Sequence, residues 1–81
     1  MTALEFSHQL TGLYDNLHYF AQTLTRNKEE AEDLVHDTVL KALTHRDKFQ
    51  DDTNLKAWTF TILKNTFINK YRRAVKANTI I

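Results

Sequence analysis

The sequence has no cysteine, no proline and one glycine, Gly12. Without cysteine there is neither a disulfide framework nor a thiolate zinc site. The four histidines, at 8, 18, 36 and 45, never stand at i,i+4, so the histidine pair of a zinc-protease helix is missing too. Asp33 and His36 have the i,i+3 spacing of one half of a carboxylate-bridged di-iron motif, but no other helix offers the matching half. There is no glycine-rich phosphate loop, and no serine is poised beside a base. The chain is therefore expected to be no enzyme and to use no metal and no cofactor. No apolar run approaches the length of a membrane span, and no basic start followed by an apolar run marks a secretory signal. A soluble cytoplasmic protein is expected, with no membrane partner.

The same scarcity of breakers sets the fold class. Almost nothing interrupts a helix, and the apolar residues recur at helical rather than alternating spacing, which predicts an all-α domain of three helices. The first is expected from about Thr2, bent near Gly12, to Leu24, with Leu10, Leu13, Tyr14, Leu17, Phe20, Ala21 and Leu24 as its apolar stripe. The second opens at Asn27, a capping residue with Glu30 three positions on, and continues to about His45. A polar loop with one aromatic, Phe49, leads to Asn54, which caps a third helix reaching roughly to Ala74. Eighty-one residues make a single domain over 1–81, with a core from about 10 to 75 and a tail from 76 to 81 expected to be disordered or to begin a linker.

Acidic residues are missing from the whole C-terminal third. All ten lie at or before Asp52, where five lysines and arginines leave a net charge of −5, while residues 54–81 hold six basic residues and no acid, hence +6. One end suits a polyanion, the other a basic partner.

Both long helices present more faces than one core can use. On the second, Ala31, Leu34, Val35, Thr38, Ala42 and partly Val39 form the core stripe, and Leu40 projects nearly opposite, sharing its face with Asp33, His36 and Asp37. Single exposed leucines among carboxylates are common and need no function. The alternative is a docking surface in which the leucine fills a partner's pocket and the carboxylates fix the register. On the third, Leu55, Phe60, Ile62, Leu63, Phe67, Ile68 and Tyr71 cannot all face one seam, so some sit at a second contact. Trp58, Thr61, Asn65, Asn69 and Arg72 line up as a strip of groups able to stack on bases or bond to them and to phosphates. Trp58 could equally anchor the core while the strip faces water. Lys56, Lys64, Lys70 and Arg73, with no acid nearby in sequence, favour nucleic acid.

The run from Glu30 to Ala42, EAEDLVHDTVLKA, followed by Phe49, a short polar loop and Leu55-Lys56-Ala57-Trp58 with Ile62 and Asn65, resembles region 2 of bacterial RNA polymerase sigma factors of the extracytoplasmic-function type, from about Leu13 to Arg73. The resemblance implies a three-helix fold whose second helix docks on the clamp helices of the polymerase largest subunit, a duty that maps to Asp33, His36, Asp37 and Leu40. It also implies that the loop captures a base flipped from the minus-ten element and that the third helix holds the melted non-template strand. Those duties map to the run from Phe49 through Leu55 for the pocket, with Asp51, Asp52, Thr53 and Asn54 within it, and to Lys56, Trp58, Thr61, Lys64, Asn65 and Arg72 for the helix. A flipped base needs compensation for its lost stacking and pairing, and preferential binding of the opened strand shifts the equilibrium toward melting.

Two positions depart from the family pattern. His36 replaces the usual glutamine, and Thr61 stands where an arginine is common. The resemblance further implies a second, helix-turn-helix domain in a complete factor, so the chain is expected to be an excised or truncated first domain that binds DNA weakly alone. Its expected partners are the polymerase core, single-stranded promoter DNA and an anti-sigma protein, with the domain itself a monomer. A sigma mimic that binds only an anti-sigma protein is the rival reading, and a homeodomain-like duplex binder is the bland one.

Overall fold

The computed structural model describes residues 1–79. They form four α-helices: α1 (Ala3–Gly12), α2 (Tyr14–Thr25), α3 (Lys28–Thr44) and α4 (Leu55–Thr79), with a 3-10 turn at Arg46–Lys48. The domain is all-α, as the helical spacing predicts, but the expected first helix is two. Leu13 ends α1 and begins α2, its N–H donating to the Leu10 carbonyl at 3.0 Å in a tightened last turn. Glycine is among the weakest helix formers, which places the interruption here rather than elsewhere. Gly12 itself is not sterically required, since a Cβ there would meet nothing within 4 Å.

Local signals place the remaining ends. Thr2 and Glu5 form a reciprocal capping box on α1. Asn27 caps α3 by accepting from the Glu30 N–H at 3.0 Å, and Asn54 caps α4 by accepting from the Ala57 N–H at 3.2 Å. Between α2 and α3 the chain turns at Arg26, in the left-handed region with φ 55°. The Thr25 hydroxyl steadies this turn by donating to the Ala21 carbonyl at 2.9 Å. α4 runs five residues beyond Ala74, because nothing from Val75 to Thr79 breaks a helix. Residues 76–79 thus continue α4 instead of beginning a disordered tail, and Ile80 and Ile81 lie outside the described residues.

α3 is the central element, packed between α2 and α4. One cluster joins Leu17 and Ala21 of α2, Ala31, Leu34 and Val35 of α3 and Leu63 of α4, with Phe20, Phe60 and Phe67 against its edge. A second joins Phe6 and Leu10 of α1, Ala42 of α3, Phe49 and Leu55, with Trp58 and Ile62 against it. α4 serves both clusters, which is why it is apolar over so much of its circumference. The core also reaches back to Phe6, ahead of the expected start near residue 10. From Asn69 to Lys76 the α4 side chains are exposed, so the helix projects beyond the body of the domain.

Candidate nucleic-acid interface and docking face

The loop between α3 and α4 is built on an aromatic cluster. Phe49 leaves the 3-10 turn in an extended conformation, φ −79° and ψ 130°, and its ring turns inward. It lies 6.0 Å from Phe6 and 5.2 Å from Trp58, and Phe6 meets Trp58 edge-on at 6.0 Å. Such tilted pairs are favoured by the ring quadrupoles. Phe49 and Leu55, assigned to the base pocket by sequence, are each only 8% exposed. They support the loop from below and do not line its outer surface, because burying a phenyl ring and a leucine outweighs offering them to solvent.

Inward Phe49 turns its neighbours outward, since successive side chains of an extended chain point to opposite sides. Lys48, Gln50, Thr53, Asn54, Ala57 and Trp58 line an open cleft of about 280 Å³. Two of these, Lys48 and Ala57, lie outside the residues that the resemblance assigns to the pocket and the helix, while Gln50 lies inside the run from Phe49 to Leu55. The capping geometry at Asn54, which accepts from the Ala57 N–H, could have revealed Ala57. The loop is tightened by Thr53, whose N–H and hydroxyl both donate to the Gln50 carbonyl, at 2.9 and 2.6 Å. Asp52 is exposed. Asp51 pairs with the Met1 ammonium, and the hydrogen bond and charge of this carboxylate raise the ammonium above its ordinary value of 8.0. The pair ties the start of the chain to the loop.

Along α4 the expected strip is present. Trp58 is half-buried, with Thr61, Asn65, Asn69 and Arg72 exposed beyond it. The Thr61 hydroxyl donates back to the Ala57 carbonyl at 2.9 Å and keeps its lone pairs for a ligand. Lys64 is exposed, but Lys56 is not brought to the strip: its ammonium lies 5.7 Å from the centre of the Phe60 ring, on another side of the helix. Phe60 in turn stacks on Phe20 at 5.1 Å.

On α3, Asp33, His36 and Leu40 are exposed together, Leu40 at 64%. Asp37 is half-buried and its carboxylate accepts from the Lys70 ammonium of α4 at 2.7 Å. This ion pair was not visible in the sequence. Both its side chains are nearly half-exposed, so it is worth only about 0–1 kcal/mol to stability. Nearby, Lys41 reaches across to α4 and donates to Thr66 at 3.2 Å. Along this ridge of α3, Asp33, His36 and Leu40 are thus exposed, whereas Asp37 is engaged by Lys70.

Residues 11–77 match the model of the Sigma-70 region 2 family. The chain belongs to that family. Similar curated relatives place this sigma region 2 domain in the extracytoplasmic-function type. It is 48% identical over 58 residues to the ECF RNA polymerase sigma factor EcfG of Rhodopseudomonas palustris (strain TIE-1), covering 72% of this chain and 32% of the relative. It is 44% identical over 52 residues to the RNA polymerase sigma factor YlaC of Bacillus subtilis (strain 168), covering 64% of this chain and 30% of that one. Its fold superimposes with a TM-score of 0.85 on the sigma factor RpoE of Bartonella quintana, solved in complex with the anti-sigma factor NepR, at 40% identity over 90% of this chain and 46% of RpoE. The chain thus spans between about a third and a half of the length of these relatives. Among the described residues no helix is long and apolar enough to cross a membrane.

Proposed function

We propose that this sigma region 2 domain docks on the RNA polymerase core through the α3 ridge and holds the non-template strand of the minus-ten element with the α3–α4 loop and α4. The observation that carries the reading is the cleft at the loop: one wall is the Trp58 indole, the rim is polar, and α4 leads away from it with basic residues and no acid. An indole wall offers stacking to a base that has left the duplex, and Gln50, Thr53 and Asn54 offer the donors and acceptors that distinguish one base from another. Thr61, Asn65 and Arg72 continue the path for the sugar-phosphate chain, and Lys64 adds charge beside it. Asp51 and Asp52 oppose backbone phosphates, which confines the strand to the α4 side of the loop.

In docking, Asp33, His36 and Leu40 meet a basic, pocketed partner directly, whereas Asp37 must exchange Lys70 for the partner's cation. The work is done by binding in the cytoplasm, without catalysis. The domain acts as a monomer that couples polymerase to DNA. The Bartonella RpoE neighbour was solved with an anti-sigma factor, and a protein of that class is proposed as a further partner here.

Fluorescence anisotropy with labelled minus-ten oligonucleotides provides the test. The single non-template strand is expected to bind more tightly than the matched duplex, with affinity falling steeply as salt rises. Equal or better binding of duplex would remove the melting role. No DNA binding, with retained binding to an anti-sigma protein, would replace the reading by that of a sigma mimic.

A further inference from the structure

Lys48 is the one charged side chain that lines the loop cleft, and no duty assigned so far uses it. It is exposed, and among the described residues no carboxylate pairs with it: Asp51 holds the Met1 ammonium and Asp37 holds Lys70. A lysine ammonium only donates hydrogen bonds. The hydrogen bonds within the loop bias its neighbours the same way. The Asn54 carbonyl oxygen accepts from the Ala57 N–H at 3.2 Å, so its amide keeps an unengaged NH2 group. The Trp58 indole N–H is likewise a donor only. On the acceptor side stand the Thr53 hydroxyl, whose proton goes to the Gln50 carbonyl at 2.6 Å, and one end of the Gln50 amide. Asp52 belongs to the same loop but does not line the cleft. The lining is therefore rich in donors and poor in acceptors.

Base edges differ in the order of their groups. Guanine presents N7 and O6 as adjacent acceptors and cytosine presents N3 and O2, whereas adenine sets its amino group beside N1 and N7, and thymine sets N3–H between O2 and O4. An ammonium beside an amide NH2 satisfies two adjacent acceptors. Against an amino group or an N–H it leaves donor facing donor, and desolvated donors without acceptors are costly. We propose that Lys48, with the Asn54 amide, makes the loop cleft selective for a base edge carrying two adjacent acceptors, the N7/O6 edge of guanine or the N3/O2 edge of cytosine, over adenine and thymine. The inference rests on the reading of this cleft as the pocket for an unstacked base, and adds which bases it takes. Trp58 offers a stacking face common to all four bases and so does not choose among them. Gln50, with an acceptor and donors on one amide, meets the remaining group of the base and keeps the edge in register with Lys48 and Asn54, so selection needs all three. The other duty open to an exposed lysine is a backbone phosphate, which would strengthen binding of every base alike.

Labelled non-template minus-ten strands, with each base placed in turn at every position, are titrated by fluorescence anisotropy against the wild-type domain, Lys48→Met and Lys48→Arg. Lys48→Met keeps the aliphatic stem and, at an exposed position, does not threaten folding. At the position whose discrimination depends on Gln50, the wild-type domain should bind guanine or cytosine about tenfold or more tightly than adenine and thymine. Lys48→Met should remove most of that preference while affinity for the adenine and thymine strands stays within about twofold. Lys48→Arg, still a cation that only donates, should retain it. Base analogues separate the two sources of the acceptor pair. If guanine is taken, 7-deazaguanine, which lacks N7, should lose the preference; if cytosine is taken, pyrimidin-2-one, which keeps N3 and O2 without the amino group, should bind as cytosine does. Preference for adenine or thymine at that position would overturn the proposal and leave the pocket standing, whereas no discrimination at any position would remove pocket and proposal together. An equal fall for all four bases in Lys48→Met would make Lys48 a phosphate contact and would also overturn the proposal.

Discussion

The two core clusters of this domain differ in composition and in what they support. The cluster joining α2, α3 and Leu63 is made of aliphatic side chains at 0–1% exposure, and it fixes the helices against one another. The cluster around Phe6, Phe49 and Trp58 is aromatic at its centre, admits 8% exposure at Phe49 and Leu55, and carries the loop and its cleft. One is a fold core and the other is a platform for the site proposed to bind DNA. In a domain this small the division lets the loop be shaped by aromatic geometry without loosening the helix bundle.

The division is broken most forcefully at its centre. Leu63→Ala should cost about 2–5 kcal/mol, against a total on the order of 4–12 kcal/mol for a chain of this length. Urea denaturation followed by circular dichroism should show a large fall in midpoint, with DNA binding lost only as the fold is lost. Phe49→Ala should cost less, about 2–3 kcal/mol, because the ring lies at the periphery and the loop can collapse into its space. Its distinguishing mark is a loss of strand binding under conditions where the helical signal is intact. If Phe49→Ala and Leu63→Ala unfolded the domain alike, the two clusters would be one.

Smaller changes sharpen the comparison. Lys64→Ala touches neither cluster and should leave stability within about 0.5 kcal/mol, while lowering the slope of log affinity against log salt by about 0.7 for a single strand. Asp37→Asn should cost about 0–1 kcal/mol of stability by releasing Lys70, with a greater loss in polymerase binding measured by surface plasmon resonance. The smallest effect joins the chain start to the loop. The Met1 ammonium has a raised pKa because Asp51 bonds to it. Its contribution to stability is present in full below the unfolded value of 8.0 and is lost as pH rises through the higher folded value. A slight fall in melting temperature above pH 8 is expected, and Asp51→Asn should abolish it.

Much of this was legible in the residues. The stripe from Leu10 to Leu24 and the α3 stripe from Ala31 to Ala42 are buried or half-buried as helical spacing predicts, and Asn27 and Asn54 cap where their side chains allow. The excess of apolar residues on α4 correctly signalled a second contact, but not what made it: Phe6, on the short helix that ends beside Gly12, completes the aromatic platform. Phe49 shows why the site was less legible than the fold. A lone aromatic in a polar loop can face either way, and only the presence of Phe6 and Trp58 beneath it decides. The ion pair of Asp37 with Lys70 and the turning of Lys56 toward Phe60 depend on how the helices cross or which rotamer wins, and residue spacing encodes neither.

The most direct test is single-base discrimination at the cleft. Every single-base variant of the non-template minus-ten strand is titrated against the wild-type domain and against Gln50→Ala and Trp58→Ala, with folding of each variant checked by circular dichroism. One position should discriminate strongly, by about tenfold or more between preferred and rejected bases. That discrimination should vanish in Gln50→Ala while weaker, sequence-independent binding through α4 persists, and Trp58→Ala should lower affinity for all bases at that position. A flat response in the wild-type domain, or discrimination that survives intact in both folded variants, would contradict the assignment of the loop cleft as the base-reading site.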